Sequence, residues 1–156
     1  MNKVSLPAPT ANLAASILGM WRLKSREDVD ASGQRRVDPL LGPTPLGILC
    51  FAPGYFAMQL MRRDRSAPEN AQRQVQTNNN SSAVDGYDAY FGTYTLDETN
   101  GALTVHLEAS ISPSNIGSSF VRDIRMIDDE LVIQLSTTTA DDGAPITRTL
   151  TFSRLG

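Results

Sequence analysis

The sequence predicts an all-β protein: a closed up-and-down antiparallel β-barrel of about 8–10 strands, with a short N-terminal helix over one end. From Met20 onward, apolar and polar residues alternate with a period of two, which is typical of strands with one solvated face. Turn signals recur at short intervals, and Asn100-Gly101 is the strongest hairpin signal among them. Closing such a meander removes its exposed edges, so a barrel is favoured over an open sheet.

The two ends of the predicted sheet carry a matched pair of residues. Gly19 and Trp21 stand where the first strand begins, and Trp21 is the one tryptophan of the chain. Arg154 lies in the last strand, so closure would lay its guanidinium across the indole. We therefore predict structural roles for Gly19, Trp21 and Arg154.

Length and composition bound the class of protein. A chain of 156 residues with 40% hydrophobic and 20% charged residues favours one folded domain over residues 1–156. A net charge of −3 gives no basic field to attract nucleic acid. No apolar run approaches the about 18 residues that would span a membrane. A lone Cys50 and the absence of an export signal favour the cytoplasm. The sequence allows a homo-oligomer but does not indicate one.

The chain lacks the motifs of the common cofactor and metal sites. Cys50 is the only cysteine and His106 the only histidine, which excludes intramolecular disulfides, cysteine zinc sites and multi-histidine metal sites. There is no dinucleotide-binding glycine motif, no Walker loop and no nucleophile elbow. We therefore expect neither a metal nor a cofactor.

A short helix is predicted over residues 10–18. Thr10 is a favourable N-cap, and Gly19 stands where a C-terminal cap is expected. Apolar residues recur between them at helical spacing, at Leu13, Ala14, Ile17 and Leu18. A helix this short needs a surface to lie on, and the end of a barrel would provide one.

The remaining elements follow from alternation and turns. In the first strand, Trp21, Leu23 and Ser25 are expected on one face, and Arg22, Lys24 and Arg26 on the solvated face. Residues 64–86 are rich in polar side chains and form either a lid or a long polar loop. The other strands are predicted at residues 34–37, 46–52, 55–62, 87–95, 102–110, 119–127, 130–138 and 146–154.

The order of several segments resembles a known family. Gly19-x-Trp21 after a helix, with an arginine in the last strand, resembles the lipocalin and wider calycin pattern. The chain resembles the bacterial and fungal lipocalin-like domain family over nearly its whole length, through residues 45–49, 59–62, 89–94 and 106–110. The resemblance implies a closed barrel with a central cavity. The chain differs at Val105, where the family often has the first of two adjacent histidines, which weakens any proton-transfer role needing both.

The strand at residues 102–110 holds the candidate acid-base groups. His106 and Glu108 share one face, roughly 6–7 Å apart along the strand, so the carboxylate would raise the pKa of the imidazole. If that face is lumenal, the pair suits general acid-base catalysis. The alternative places Leu103, Val105 and Leu107 in the core and exposes the pair.

Other side chains are candidates for ligand contact. Tyr90 and Tyr94 share a strand face, and they either donate hydrogen bonds to a ligand or close the barrel. Across the hairpin the two tyrosines could neighbour His106 or Glu108. Gln59 lies among apolar residues and is a candidate lumenal amide. The further candidates are Met61, as packing or as a pliable pocket wall, and Arg122 or Arg148, as a carboxylate partner or a rim residue.

These observations support three functions. The first is binding of a small, mainly apolar or amphipathic metabolite in the barrel cavity. Relatives of calycin type also include cofactor-independent isomerases and cyclases of natural-product biosynthesis, in which His106, Glu108 or a tyrosine would move a proton. The third is a structural or interaction module whose barrel is filled by side chains.

Overall fold

The computed structural model describes residues 5–65 and 83–155. Within them the chain forms the helix α1 (Leu13–Ser16), a 3₁₀ turn at Pro113–Asn115 and nine strands. The strands are β1 (Gly19–Asp30), β2 (Arg35–Arg36), β3 (Leu46–Ala52), β4 (Tyr55–Met61), β5 (Tyr87–Asp97), β6 (Ala102–Ser110), β7 (Ser119–Ile127), β8 (Glu130–Thr138) and β9 (Pro145–Arg154). From β3 onward the strands match the predicted ranges closely, because sharp turn signals separate them.

Eight of the strands form a closed barrel. Neighbours in sequence pair antiparallel from β3 to β9, while β1 pairs with β3 on one side and β9 on the other. The two residues of β2 pair only with β1 and lie outside the ring. The predicted closed up-and-down barrel is therefore confirmed, and every strand of the ring is paired on both edges.

Trp21 and Arg154 seal one end, which we call the helix end. Trp21 is fully buried, and its indole Nε1 donates a 2.9 Å hydrogen bond to the Ile17 carbonyl. The Arg154 guanidinium lies 4.2 Å from the centre of the indole ring. It also donates to the carbonyl of Ser16 (2.6 Å), the last residue of α1, and to the carbonyl of Leu18 (2.8 Å), which follows the helix. The guanidinium thus lies over the indole, and the structural roles of Gly19, Trp21 and Arg154 stay predictions.

The helix is shorter than the predicted range of 10–18. It covers only Leu13–Ser16, and its N-cap is Asn12 rather than Thr10. Asn12 adopts a left-handed backbone with φ 60°, and its side chain makes no capping hydrogen bond. So short a helix is held by tertiary contacts, through the buried Leu13 and a bond from the Ala14 amide to the Glu98 carboxylate.

A β-bulge in β1 changes which residues face inward. The register of β1 against β9 shifts between Leu23 and Ser25, so one residue is added on the β1 side. Arg26 and Asp28 are buried beyond the bulge, whereas regular alternation places Arg26 on the solvated face. That expectation for Arg26 was wrong, because a bulge reverses the alternation beyond it.

We call the end of the barrel opposite Trp21 the far end; there Asp30 of β1 pairs with Ile146 of β9. Of the predicted lid or loop at residues 64–86, residues 66–82 lie outside the described part of the chain. Among residues 5–65 and 83–155, no helix has the length and apolar character needed to cross a membrane.

Candidate ligand-binding site

The barrel interior contains a cavity with about 40 Å³ of free space. That volume accommodates a few water molecules or one small polar group. The apolar part of its wall includes Leu49, Phe51, Phe56, Met58, Leu103 and Val105. Its polar part consists of Arg26, Tyr90, Arg122 and Arg148. The interior is therefore an apolar chamber into which several polar groups project.

Three arginines enter this interior from three strands. Arg26 of β1, Arg122 of β7 and Arg148 of β9 are exposed by only 9%, 9% and 4%. A buried guanidinium is costly unless a counter-charge or several hydrogen bonds compensate it. The partners of each arginine therefore show whether protein groups compensate its charge or whether it could bind an anionic ligand.

Two of the arginines belong to a closed ion-pair network. Arg148 binds the Asp28 carboxylate through Nε (2.8 Å) and Nη2 (2.9 Å). Arg26 binds Asp38 at 2.8 Å, and Arg148 lies 3.7 Å from the same carboxylate. Burial raises the pKa of Asp38, but the charges of Arg26 and Arg148 outweigh it and hold that pKa below its ordinary value. The network joins β1, β9 and the β2–β3 connection, and its two arginines are matched by two aspartates.

Arg122 has no such partner. Its Nη1 donates only to the neighbouring Val121 carbonyl, at 3.1 Å, and its guanidinium lies 5.2 Å from the Phe120 ring centre. Its Nη2 is buried without a hydrogen bond, and no carboxylate of residues 5–65 or 83–155 forms an ion pair with it. Burial lowers the pKa of Arg122, which the nearby Tyr90 partly opposes. Arg122 is thus a buried cation whose charge is not neutralised by the described residues.

Tyr90 and Asp88 complete the polar surroundings from β5. Tyr90 packs edge-on against Phe56, with ring centres 5.9 Å apart, and burial raises the pKa of its hydroxyl to about 12. Asp88 is 2% exposed, and its Oδ2 has no hydrogen-bond partner among the described residues. Burial raises the pKa of Asp88 to about 7, although Arg26 and Arg148 oppose the shift. Tyr90 is therefore protonated at neutral pH.

Two of the predicted ligand contacts line the cavity, namely Tyr90 and Arg122. Tyr94 packs against Phe51 with ring centres 5.0 Å apart and donates a 3.0 Å hydrogen bond to the Ala52 carbonyl. It therefore ties β5 to the end of β3, and its predicted role in ligand binding stays a prediction.

The lumenal position predicted for Gln59 is wrong. Gln59 is exposed on the outer face and accepts a 2.6 Å hydrogen bond from the Tyr87 hydroxyl. The alternation of β4 directs Phe56, Met58 and Leu60 inward instead. Met61 lines a shallow outer groove that it shares with Gln59, and the roles of both residues in binding stay predictions.

His106 and Glu108 lie on the outer face of β6, and both are exposed. Leu103, Val105 and Leu107 are the buried face, as the second alternative predicted. The His106 Nδ1 lies 3.0 Å from the Ser119 hydroxyl, and Tyr90 and Tyr94 pair with Ser110 and Val105 rather than with the candidate pair. The catalytic role predicted for His106 and Glu108 stays a prediction, at a position outside the cavity.

Four charged residues of the interior were not predicted from the sequence. Arg26 and Asp28 were missed because the β1 bulge cannot be read from alternation. Asp38 reaches its partners from an irregular connection, and Asp88 adjoins Tyr87 at the start of β5. One signal of buried charge was present. Arg26 and Asp28 are charged residues two apart, hence on one face of a strand whose first part contains buried positions. No group of three or more potential metal ligands is found in the described ranges.

A closed eight-stranded antiparallel barrel, capped by a helix and enclosing an apolar cavity with a few polar groups, defines a calycin-type ligand-binding fold. The family model described as a lipocalin-like domain matches residues 18–155. The chain therefore belongs to the lipocalin-like domain family. A search of curated proteins finds no match.

Proposed function

We propose that this protein binds a small, mainly apolar molecule inside the barrel. The observation that supports it is the cavity itself, where an apolar wall surrounds the buried polar groups of Tyr90 and Arg122. Ligand sites typically combine these two elements, because apolar area supplies affinity and a few polar groups fix orientation. A barrel kept only for stability gains nothing from a buried cation without a counter-charge.

The free space of about 40 Å³ limits how a ligand is accommodated. A molecule larger than a few atoms must displace side chains of the wall. Met58 is suited to this, because an unbranched thioether side chain has several low-energy rotamers. Arg122 is suited as well, because no ion pair with a described residue holds its guanidinium in place. We expect binding to move these two side chains while the strands stay in place.

A neutral apolar dye tests the proposal directly. N-phenyl-1-naphthylamine becomes fluorescent when it leaves water, so titration with the protein gives a dissociation constant. Val105→Phe adds a ring inside the cavity and is expected to weaken dye binding at least about tenfold, a loss typical of a clash in a small pocket. Val121→Phe is the matched control, because Val121 is 62% exposed on the outside of the barrel.

Three results would contradict the proposal. Equal dye affinity of Val105→Phe and the unmodified protein would place the dye outside the cavity. No fluorescence increase with the unmodified protein would favour a filled, structural barrel. Weakened binding by Val121→Phe would assign the site to the outer surface. Native mass spectrometry of the purified protein would then identify any small molecule that it retains.

A further inference from the structure

We propose that the natural ligand is an amphipathic monocarboxylate whose carboxylate binds Arg122, with its apolar body against the wall formed by Met58 and Val105. This inference rests on the proposed function and specifies the chemical class of its ligand. The three arginines of the interior differ in one respect that supports it: two are paired with aspartates and one is not.

The position of Arg122 suits a ligand head group. Asp123 of β7 pairs with Gln134 of β8, and Leu135 of β8 pairs with Arg148 of β9, so Arg122 and Arg148 lie near one level, two strands apart. Two strand spacings separate their Cα atoms by roughly 10 Å. Arg148 is occupied by Asp28 through two nitrogens, whereas the Nη2 of Arg122 is buried without a bond to any described residue. The Nε of Arg26 also makes no hydrogen bond to a described residue, but Arg26 is ion-paired with Asp38. Among the described residues, Arg122 is therefore the cavity arginine that an anion would meet without a carboxylate partner.

The charge balance favours a single negative charge on the ligand. Arg26, Arg122 and Arg148 bring three positive charges to the interior. The ion-paired Asp28 and Asp38 bring two negative charges. Asp88 faces Arg26 of β1, Arg148 of β9, Asp38 of the β2–β3 connection and Tyr90 of its own strand, and it is neutral below its pKa of about 7. Among the described residues, one positive charge then remains when Asp88 is protonated, and a single carboxylate would neutralise it.

Geometry and volume favour a carboxylate in particular. A planar guanidinium binds a planar carboxylate through two parallel hydrogen bonds. The carboxylate is small enough for the existing free space of about 40 Å³, so only the apolar body requires the wall to move. Tyr90 lines the same cavity and stays protonated at neutral pH, so no second negative charge there repels the ligand.

Displacement of N-phenyl-1-naphthylamine at pH 6.5 by decanoate and by decan-1-ol tests this inference. The two compounds have the same chain length and differ in the charge of the head group. The unmodified protein is expected to bind decanoate at least about tenfold more tightly, since hydrogen bonds to charged groups contribute that much. Arg122→Met is expected to bind the two compounds equally. Arg22→Met is the matched control, because Arg22 lies on the exposed face of β1, and it should keep the preference.

The thermal stability of the free protein gives a second, independent measurement. Arg122→Met is expected to have a melting temperature equal to or above that of the unmodified protein, because a methionine needs no counter-charge in an apolar interior. A variant that fails to fold or melts lower would assign Arg122 to barrel stability and overturn the inference. Arg122→Lys keeps the charge without the planar donor pair, and it should lose part of the preference for decanoate.

The outcomes separate this inference from the proposed function. If decan-1-ol displaces the dye as well as decanoate does, or if the preference survives in Arg122→Met, the carboxylate assignment is overturned while ligand binding stands. If the dye does not bind the unmodified protein at all, the proposed function fails and this inference fails with it. A tenfold preference lost only in the Arg122 variants would support both.

Discussion

Asp88 provides a test of how the barrel interior responds to pH. Its carboxyl group is 2% exposed, and one of its oxygens has no hydrogen-bond partner among the described residues. Burial raises the pKa of Asp88 from 3.8 to about 7, with Arg26 and Arg148 acting against the shift. The substitution Asp88→Asn replaces this group with an amide of the same shape that is neutral at every pH used.

The sign of the effect follows from proton binding. Between pH 3.8 and about 7 the folded protein keeps the Asp88 proton, whereas the unfolded chain releases it. The stabilisation is therefore complete below pH 3.8 and is lost as the pH rises to about 7. The interval between the two pKa values corresponds to a change of about 4 kcal/mol in the free energy of unfolding, as an upper limit. Asp88→Asn removes this contribution.

Urea unfolding of both proteins at pH 5 and pH 8 measures the effect. Relative to the unmodified protein, Asp88→Asn should gain roughly 2–3 kcal/mol of unfolding free energy on going from pH 5 to pH 8, because about two of the pH units between the two pKa values lie in this range. Taking the difference between two proteins cancels the titration of all other groups. Asp128→Asn is the matched control at an exposed turn and should show no such gain. If the difference between Asp88→Asn and the unmodified protein is the same at both pH values, the charge of Asp88 is not destabilising and the reasoning fails.

Three further substitutions test the architecture. Arg154→Met removes the guanidinium over Trp21 and two hydrogen bonds, and should lower the unfolding free energy by about 1–2 kcal/mol in urea; no change would mean that the helix end is sealed without it. Gly92→Ala would bring a Cβ within 1.9 Å of a backbone carbonyl at the β5–β6 bulge, at a cost of about 3 kcal/mol or more. The control Gly54→Ala meets no atom within 4 Å and should cost only about 1 kcal/mol for its positive φ, so equal losses would refute the steric argument. His106→Ala should leave dye affinity unchanged, because the imidazole is on the outer face; a weaker affinity would place the ligand there.

The strands could be predicted from the sequence because each is bounded by turn residues and repeats with period two. The hairpin at Asn100-Gly101 is an example, since Gly101 has φ 75° and a Cβ there would clash with Arg125. The orientation of β6 could not be predicted, because Thr104 and His106 made its second face partly polar without showing which side was solvated. Only closure of the barrel decides that, through contacts with strands distant in sequence.

The buried charges were the harder part of the prediction. Arg122 shares a face of β7 with Phe120 and Ile124, so alternation left both an interior position and a rim position open. That no described carboxylate pairs with Arg122 could not be predicted from the sequence. Arg26 requires both the β1 bulge and the arrival of Asp38 from an irregular connection. Neither leaves a periodic trace, because a bulge depends on the partner strand and an ion pair depends on the whole ring. Charge networks of this kind are read from three-dimensional contacts.

The way in which the ring closes has a consequence for the order of folding events. β1 pairs with β9, and Arg154 donates to a carbonyl 136 residues earlier in the chain. Contacts between such distant segments cost more loop entropy before they stabilise anything, and proteins dominated by them fold in milliseconds to seconds. During synthesis β1 cannot pair with β9 until the last strand has been made. Until then Trp21 and the unpaired edge of β1 are exposed. The period before closure is therefore when this chain is most open to aggregation and to chaperone binding.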